Sequence, residues 1–351
     1  MWATICTSTR MECTSLLTEI TACIITRFAD QSTLVKALES IARCVDGVNV
    51  CCTDVATFAL PQFDVPIHFL YFPWNDSFSA ARNKSLEDVA TDWIMYIDSD
   101  DEVINAGAIR LTIARCPEYM DAIAVMIRSK YADGSFVENW QPRIFRRGLL
   151  FKGRVHEQLY DPADPGRETT MWGQPEVRIE HHGYLCDEAT KAAREVRNSR
   201  LMLADMQDDP DDYMIPMHYA RQEMGINDPV ALEMATRAFE AWQRKGAYAV
   251  RVGALLYTTL MQALVSNQLW ERAIALNKDC PSQYQSAELW FLTGTALIQA
   301  GQIDEGIKCF QAAHDDTSVL RDIGGDAEVW TWKPLMALSQ IYAALANQER
   351  R

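Results

Sequence analysis

The sequence predicts two domains, an α/β domain with a mainly parallel sheet and then an all-α domain of tetratricopeptide-like helices. Two observations support this prediction. Short apolar runs rich in β-branched and aromatic residues alternate with helical patterns through the first half of the chain, and such alternation indicates βαβ units. From about residue 186 the strand-like runs stop, and helical periodicity continues to the end.

The changes in pattern also predict boundaries. We expect an irregular N-terminal extension over residues 1–19, the α/β domain over 20–190 and the helical domain over 191–351. Helices are expected over 34–45 and 77–90. The expected strands are ITACIIT, VNVCC, PIHFLYF, DWIMYID and AIAVMIRSKY, at 20–26, 48–52, 66–72, 92–98 and 122–131. Ligands of such sheets bind outside the carboxyl ends of the strands, so functional residues are expected there.

The helical part carries a repeated pattern. Segment 287–313 matches the tetratricopeptide template of large and small side chains at Trp290, Gly294, Leu297, Gly306, Phe310 and Ala313. Weaker copies occur at Tyr257, Leu264 and Ala273, and at Tyr219, Ala235 and Phe239. The helices around Trp330 to Ala346 are the expected cap. Small residues let paired helices approach, and large ones fill the groove between them. An arbitrary helical bundle is the alternative.

Composition narrows the class of protein. The chain has 48 acidic and 33 basic residues and a formal net charge of −15, which argues against a protein that coats nucleic acid. No apolar run reaches the roughly 18–20 residues that span a membrane. Ten cysteines are scattered with no CxxC pair, so a zinc site is not expected. We interpret them as reduced thiols of a cytoplasmic protein.

The segment IMYIDSDDEV (94–103) places four acids at the end of an apolar strand. In a continuing strand, Asp98 and Asp100 would face the same ligand, because side chains at i and i+2 point the same way. Two carboxylates suit a hard divalent cation, Mn²⁺ or Mg²⁺, that also takes phosphate oxygens. Asp101 and Glu102 are expected only to begin the following loop. A solvated acidic turn is the alternative for this motif taken alone.

Three further motifs accompany the DSD segment: WNDSFSAARN (74–83), QPRIFRRGLLFKGRVHEQL (141–159) and RIEHHGYL (178–185). With them, the sequence resembles the family 2 glycosyltransferases of GT-A fold, which is a Rossmann-like α/β fold. More narrowly, it is similar to the subgroup of lipopolysaccharide-core glucosyltransferase-like proteins and sublancin-type peptide S-glycosyltransferases. Tetratricopeptide repeats often follow the catalytic domain in that subgroup. The resemblance implies metal-dependent, inverting transfer of a sugar from a nucleotide-sugar donor, by default a uridine diphosphate sugar.

The resemblance also implies which residues bind the metal and the donor. Asp98 matches the first DxD acid, near the nucleotide ribose or the metal, and Asp100 matches the metal-binding second acid. His181 aligns with a family histidine and is a candidate metal ligand. Arg82 and Asn83 match the ARN pair, which implies donor contacts.

Three more candidates complete the predicted site. Arg143, in a locally basic stretch, is expected to face the anionic donor. Asp54 is the candidate acid for recognising the donor base, although the segments 25–33 and 48–58 depart from the family pattern and leave the base open. Glu157 is the candidate general base that deprotonates the acceptor, with Asp133 and Glu138 as rivals.

Other functions are also compatible with the sequence. The irregular 25–58 region motivates a catalytically inactive tetratricopeptide adaptor as the main alternative, and a metal-dependent phosphohydrolase ranks last. The acceptor is not identified; a peptide, a protein or a glycan are all compatible with the sequence. The helical domain is expected to bind the acceptor or to mediate a homodimer.

Overall fold

The structure is a computed structural model of the 351-residue chain, and it describes residues 18–131, 134–246, 249–318 and 331–349. The chain divides into two compact units, the first ending at Glu188 and the second beginning at Ala189. Most of the expected N-terminal extension lies outside the described residues, as do Asp133 and Trp330.

The N-terminal unit is built on β-strands. They are β1 (Ile20–Thr26), β2 (Gly47–Cys52), β3 (Ile67–Tyr71), β4 (Trp93–Asp98), β5 (Asp101–Val103), β6 (Ala122–Lys130), β7 (Phe136–Arg146), β8 (Leu150–Lys152), β9 (Gln158–Tyr160) and β10 (Met171–His181). Eight of them form one sheet in the order β3-β2-β1-β4-β7-β6-β10-β5, while β8 and β9 form an antiparallel pair.

The main sheet is parallel in its first half and mixed in its second. Strands β1 to β4 run parallel to one another, as β10 does to β6, whereas β7 is antiparallel to β4 and β6, and β5 is antiparallel to β10. The carboxyl ends of β1, β2 and β4 therefore meet at one edge. This edge is where ligands of such sheets bind.

In the part of this unit that the structure describes, three α-helices accompany the sheet: α1 (Gln31–Ile41), α2 (Phe78–Ser85) and α3 (Ile109–Arg115). Leu34, Leu38 and Ile41 of α1 are fully buried in the same cluster as Ile24 of β1 and Ile97 of β4. Their spacing of four and three residues puts them on one face of the helix. β1 is buried nearly throughout because β2 and β4 flank it within the sheet and apolar residues cover its faces.

The predicted fold class is confirmed, with a mainly parallel α/β sheet followed by a helical region. Strands β1 to β4 and β6 lie within one residue of the predicted runs. The helix expected over 77–90 is shorter and ends at Ser85, and Asp88 then takes a left-handed φ of 60°. Strands β5, β7, β8, β9 and β10 are absent from the predicted strands, because short or polar segments lack the apolar signal on which that prediction rests.

The C-terminal unit is helical in its described parts. Its helices are α4 (Glu188–Asp208), α5 (Met214–Glu223), α6 (Asp228–Lys245), α7 (Val250–Ser266), α8 (Trp270–Lys278), α9 (Ala287–Gln299), α10 (Ile303–Asp315) and α11 (Lys333–Glu349). Among residues 18–131, 134–246, 249–318 and 331–349, none of the helices combines the length and hydropathy that a membrane span requires.

The α9–α10 pair has the close approach that the tetratricopeptide template predicts. A Cβ on Gly294 would lie 3.2 Å from the Gly306 carbonyl oxygen, and a Cβ on Gly306 would lie equally close to the Gly294 carbonyl oxygen. Phe310 fills the adjoining space, 3.0 Å from the same position on Gly294. Small residues therefore bring the two helices into backbone contact, and a large one packs beside them.

Candidate active site

The DxD motif lies at the carboxyl end of β4, in the middle of the sheet. β4 ends at Asp98, Ser99 and Asp100 form a turn, and β5 begins at Asp101. The expectation that Asp98 and Asp100 alternate along one continuing strand is therefore wrong. The turn nevertheless brings them together, because ligand atoms of Asp98, Asp100, Asp101 and His181 lie within 4.8 Å of one another.

Asp98 is held between two arginines. Arg82 Nη2 donates to Asp98 Oδ1 at 2.8 Å, and Arg143 Nη2 donates to Oδ2 at 3.0 Å. Burial by itself raises the pKa of this carboxyl, but the charges of Arg82 and Arg143 outweigh it, so the pKa of Asp98 lies well below its ordinary value. Asp98 is therefore a carboxylate whose two oxygens are already engaged.

Tyr96 lies against both arginines. Its ring centroid lies 4.6 Å from Arg82 Cζ and 4.5 Å from Arg143 Cζ, and Phe151 packs edge-on against the ring at 5.1 Å. The face of an aromatic ring attracts a cation. The ring therefore lets two buried like charges approach the same carboxylate, and it fixes the position of each guanidinium.

A β-bulge directs Arg143 into the site. In the ladder between β6 and β7, Ile123 pairs with Ile144 while Ala124 pairs with Pro142, so Arg143 is the extra residue. A β-bulge changes the direction in which a side chain points. Proline is tolerated at a bulge because the amide hydrogen that it lacks is not needed there for a hydrogen bond between strands. The Arg143 side chain is 4% exposed as a result.

Asp101 is a site residue that the sequence prediction misses. It was expected only to begin a loop, but its side chain is fully buried. Oδ1 lies 2.8 Å from His181 Nδ1, while Oδ2 accepts from the Asp98 amide at 2.9 Å and lies 3.2 Å from Arg143 Nη1. The sequence does contain one indication of this burial. Asp101 and Val103 are two residues apart, and in a strand this spacing puts both side chains on the same face, which is the buried face of β5.

Asp100 and His181 supply two further atoms of the cluster that could bind a cation. A Cβ on Gly183 would lie 2.5 Å from Asp100 Oδ2 and 2.6 Å from His181 Nε2, so both atoms converge on the space beside this glycine. Burial, together with the negative charges of Asp98 and Asp101, raises the pKa of Asp100 to about 6. Burial lowers the pKa of His181, but its hydrogen bond to Asp101 and the nearby acids raise that pKa overall.

The charge and the ligand atoms of this cluster fit a divalent cation. Four carboxylates surround two guanidinium groups, which leaves two negative charges uncompensated when His181 is neutral. The carboxylates belong to Asp98, Asp100, Asp101 and Glu157, and the guanidinium groups to Arg82 and Arg143. Carboxylate oxygens suit Mg²⁺ and Mn²⁺, and an imidazole held by a carboxylate through its other nitrogen is a common metal ligand.

Glu157, the predicted base, contacts Arg82. Its Oε1 accepts from Arg82 Nε at 2.8 Å, so one guanidinium bridges Glu157 and Asp98. His156 adopts a left-handed φ of 53° just before β9, and burial lowers the pKa of its imidazole. Of the rival bases, Glu138 forms a 2.7 Å ion pair with Arg128, and Asp133 lies outside the described residues.

Asn83 and Asp54 make other contacts. The Asn83 side chain donates to the Phe151 carbonyl at 2.9 Å and accepts from the Phe151 amide at 2.8 Å, which ties α2 to β8. Asp54 follows β2 and accepts from the Phe28 amide at 2.9 Å, at the same edge of the sheet as Asp98. Their predicted roles in donor binding stay predictions.

The sheet and the cluster together define a class of protein. A mainly parallel sheet with one antiparallel strand inserted beside β4, and acids at the carboxyl end of β4, are the features of a GT-A glycosyltransferase domain. Residues 23–180 match the sequence profile of glycosyl transferase family 2. This match lies within the N-terminal unit and supports a glycosyltransferase domain there.

Individual relatives extend the comparison. The chain is 27% identical over 152 residues to a TPR repeat-containing protein of Synechococcus elongatus, with 41% of this chain and 37% of that protein covered. It is also 27% identical over 152 residues to the SPbeta prophage-derived glycosyltransferase SunS of Bacillus subtilis, with 41% and 35% covered. The chain thus matches a little over a third of the length of these relatives.

Solved structures give a weaker likeness. S. aureus TarS 1–349 is similar with a TM-score of 0.35 and 10% identity, covering 84% of this chain and 90% of that one. Values this low carry no argument about function.

Proposed function

We propose that the protein is a metal-dependent glycosyltransferase that moves a sugar from a nucleotide-sugar donor, by default a uridine diphosphate sugar, to an acceptor. The observation that carries this proposal is the convergence of Asp100 Oδ2 and His181 Nε2 beside Gly183, at the carboxyl end of β4 in a family 2 domain. An intact cluster of this kind favours an enzyme over the inactive adaptor.

Asp100 and His181 would hold Mn²⁺ or Mg²⁺. A cation bound there supplies Lewis-acid stabilisation of the diphosphate leaving group. Two protein ligands leave further coordination positions for water and phosphate oxygens, as is usual for Mg²⁺ beside phosphates. The excess of two negative charges in the cluster supports this role.

Asp98 is the proposed contact to the donor's ribose. Its carboxylate is fixed by Arg82 and Arg143, whose side chains are 11% and 4% exposed. Arginines so deeply buried act on the donor chiefly through Asp98, whose position they determine. Asp54, at the neighbouring strand end, is the proposed partner of the donor base.

Glu157 is the proposed general base in a single displacement with inversion. Its carboxylate would take the acceptor's proton as the acceptor attacks the anomeric carbon. Glu157→Gln keeps an oxygen that can accept from Arg82 Nε and removes the basic group. We expect kcat to fall by about 10²–10⁴-fold with donor affinity retained. Glu138→Gln is the matched control, and an equal loss in both variants would contradict the assignment.

A thermal-shift panel of nucleotide sugars with and without Mn²⁺ tests the proposed function. One donor should stabilise the wild-type protein in a Mn²⁺-dependent way, and Asp100→Ala should abolish that shift. Glu102→Ala, which removes a solvent-facing acid two residues away, should leave it intact. Equal shifts in wild type and Asp100→Ala would contradict the metal assignment, and no shift with any donor would favour the adaptor.

The partners and location follow from the same proposal. The helical unit would bind a peptide, protein or glycan acceptor, or mediate a homodimer, since solenoid surfaces suit either role. Size-exclusion chromatography with light scattering distinguishes a monomer from a dimer. The described cysteines, Cys23, Cys44, Cys51, Cys52, Cys116, Cys186, Cys280 and Cys309, are free thiols, which supports a reducing compartment such as the cytoplasm.

A further inference from the structure

We propose that Asp101 is the positioning residue of this site, holding His181 in the tautomer that presents Nε2 and holding Arg143 against Asp98. The inference rests on the proposed function for its consequence, metal binding, but its geometric content can be tested separately. A fully buried carboxylate requires partners for both oxygens, and Asp101 has three within its own unit.

The first partner fixes the imidazole. An ionised carboxylate can only accept hydrogen bonds, so the 2.8 Å contact between Asp101 Oδ1 and His181 Nδ1 requires the proton to be on Nδ1. In a neutral ring the lone pair is then on Nε2. Nε2 is the atom that faces the space beside Gly183, opposite Asp100 Oδ2. Asp101 thus determines which nitrogen of His181 is available as a ligand.

The second and third partners fix the arginine and the turn. Asp101 Oδ2 accepts from the Asp98 amide and lies 3.2 Å from Arg143 Nη1, while Nη2 of the same guanidinium binds Asp98. Arg143 therefore bridges the fully buried carboxylate of Asp101 and the partly buried carboxylate of Asp98. With Asp98 engaged by Arg82 and Arg143, and Asp101 engaged by Arg143 and His181, the acid left to meet a cation is Asp100.

Strand pairing builds this arrangement into the fold. Asp101 lies directly opposite His181 in the antiparallel ladder between β5 and β10. Directly opposite residues have Cβ atoms about 4.5–5.5 Å apart, which suits a hydrogen bond between a carboxylate and an imidazole. The short strand β5 therefore places Asp101 in register with His181.

The wild-type protein itself provides the first test. Long-range ¹H–¹⁵N correlation of ¹⁵N-histidine-labelled, metal-free protein at pH about 9 reports the neutral tautomer of each histidine. A His181→Gln spectrum identifies the His181 signals. We expect Nδ1 to carry the proton. A proton on Nε2 would overturn the proposal, and this result does not depend on whether any Asp101 variant folds.

Asp101→Asn provides the second test, because it keeps the shape and replaces an obligatory acceptor by an amide that can donate to Nδ1. We expect His181 to shift toward the Nε2–H tautomer and the Kd for Mn²⁺, measured by electron paramagnetic resonance, to rise about 10–100-fold. Glu102→Gln is the matched control, since it removes the same charge from the solvent-facing neighbour. It should change neither measurement.

The outcomes separate this proposal from the proposed function. Unchanged tautomer and Mn²⁺ affinity in Asp101→Asn would overturn the positioning role, and so would an equal loss of affinity in Glu102→Gln. An Nδ1–H tautomer in wild-type protein that binds neither Mn²⁺ nor any nucleotide sugar would contradict the proposed function while supporting the role of Asp101.

Discussion

The carboxyl end of β4 and the α9–α10 pair both bring groups unusually close together, but by different physical means. At β4, opposite charges hold the groups together, since Arg82 and Arg143 each bridge two carboxylates. Between α9 and α10, the helices approach closely because Gly294 and Gly306 have no side chains and each faces the carbonyl group of the other. The first region depends on every charge keeping its partner, and the second depends on volume. Substitutions should therefore fail for opposite reasons in the two regions.

The largest expected effect comes from removing a charge at the β4 end. Arg143→Met keeps the volume but leaves Asp98 without one guanidinium and Asp101 without a cationic partner. Breaking a buried ion pair on one side costs about 3–5 kcal/mol, and urea denaturation should report a loss of this size in the free energy of unfolding. Arg147→Met, which removes an exposed arginine 3.6 Å from exposed Asp92, should change stability by less than about 0.5 kcal/mol. Similar losses in both variants would contradict the charge-based account.

Adding volume at the helix pair should have the next largest effect. Gly294→Val places a side chain against the Gly306 carbonyl and the Phe310 ring. Overpacking of this kind costs about 1–3 kcal/mol, measurable as a lower free energy of unfolding by urea. Gly107→Ala is the control, because its Cβ would meet nothing within 4 Å. A Gly294→Val protein as stable as wild type would mean that the helices separate without cost.

The smallest effect concerns Asp100, the acid without an arginine partner among the described contacts of the cluster. Its pKa is raised to about 6 by burial and by Asp98 and Asp101, and the pKa of His181 is raised as well. Protons therefore compete with a cation as the pH falls. We expect Mn²⁺ affinity to fall as the pH is lowered toward 6, and to fall by about tenfold or more per pH unit below about 6. Constant affinity between pH 5 and 8 would contradict this prediction.

Much of the fold and part of the site could be predicted from sequence. Strands such as β1 and β4 are continuous apolar runs, so their positions follow from hydropathy alone. Asp98, Asp100 and His181 lie together as the motifs imply. Arg143 was expected to face the donor, but its deep burial against Asp98 and Asp101 depends on a bulge that only the pairing of β6 with β7 reveals. The role of Asp101 likewise depends on the register of β5 with β10, which no local pattern encodes.

Gly183 has a practical consequence. A methyl group at this position would lie 2.5 Å from Asp100 Oδ2 and 2.6 Å from His181 Nε2, so these side chains would have to move away from it, although no ionisable group is removed. Gly183→Ala would therefore separate two proposed activities in a living cell: the proposed sugar transfer should stop, while any scaffolding by the helical unit should continue. Complementation of a deletion strain with this allele would tell which of the two the cell requires.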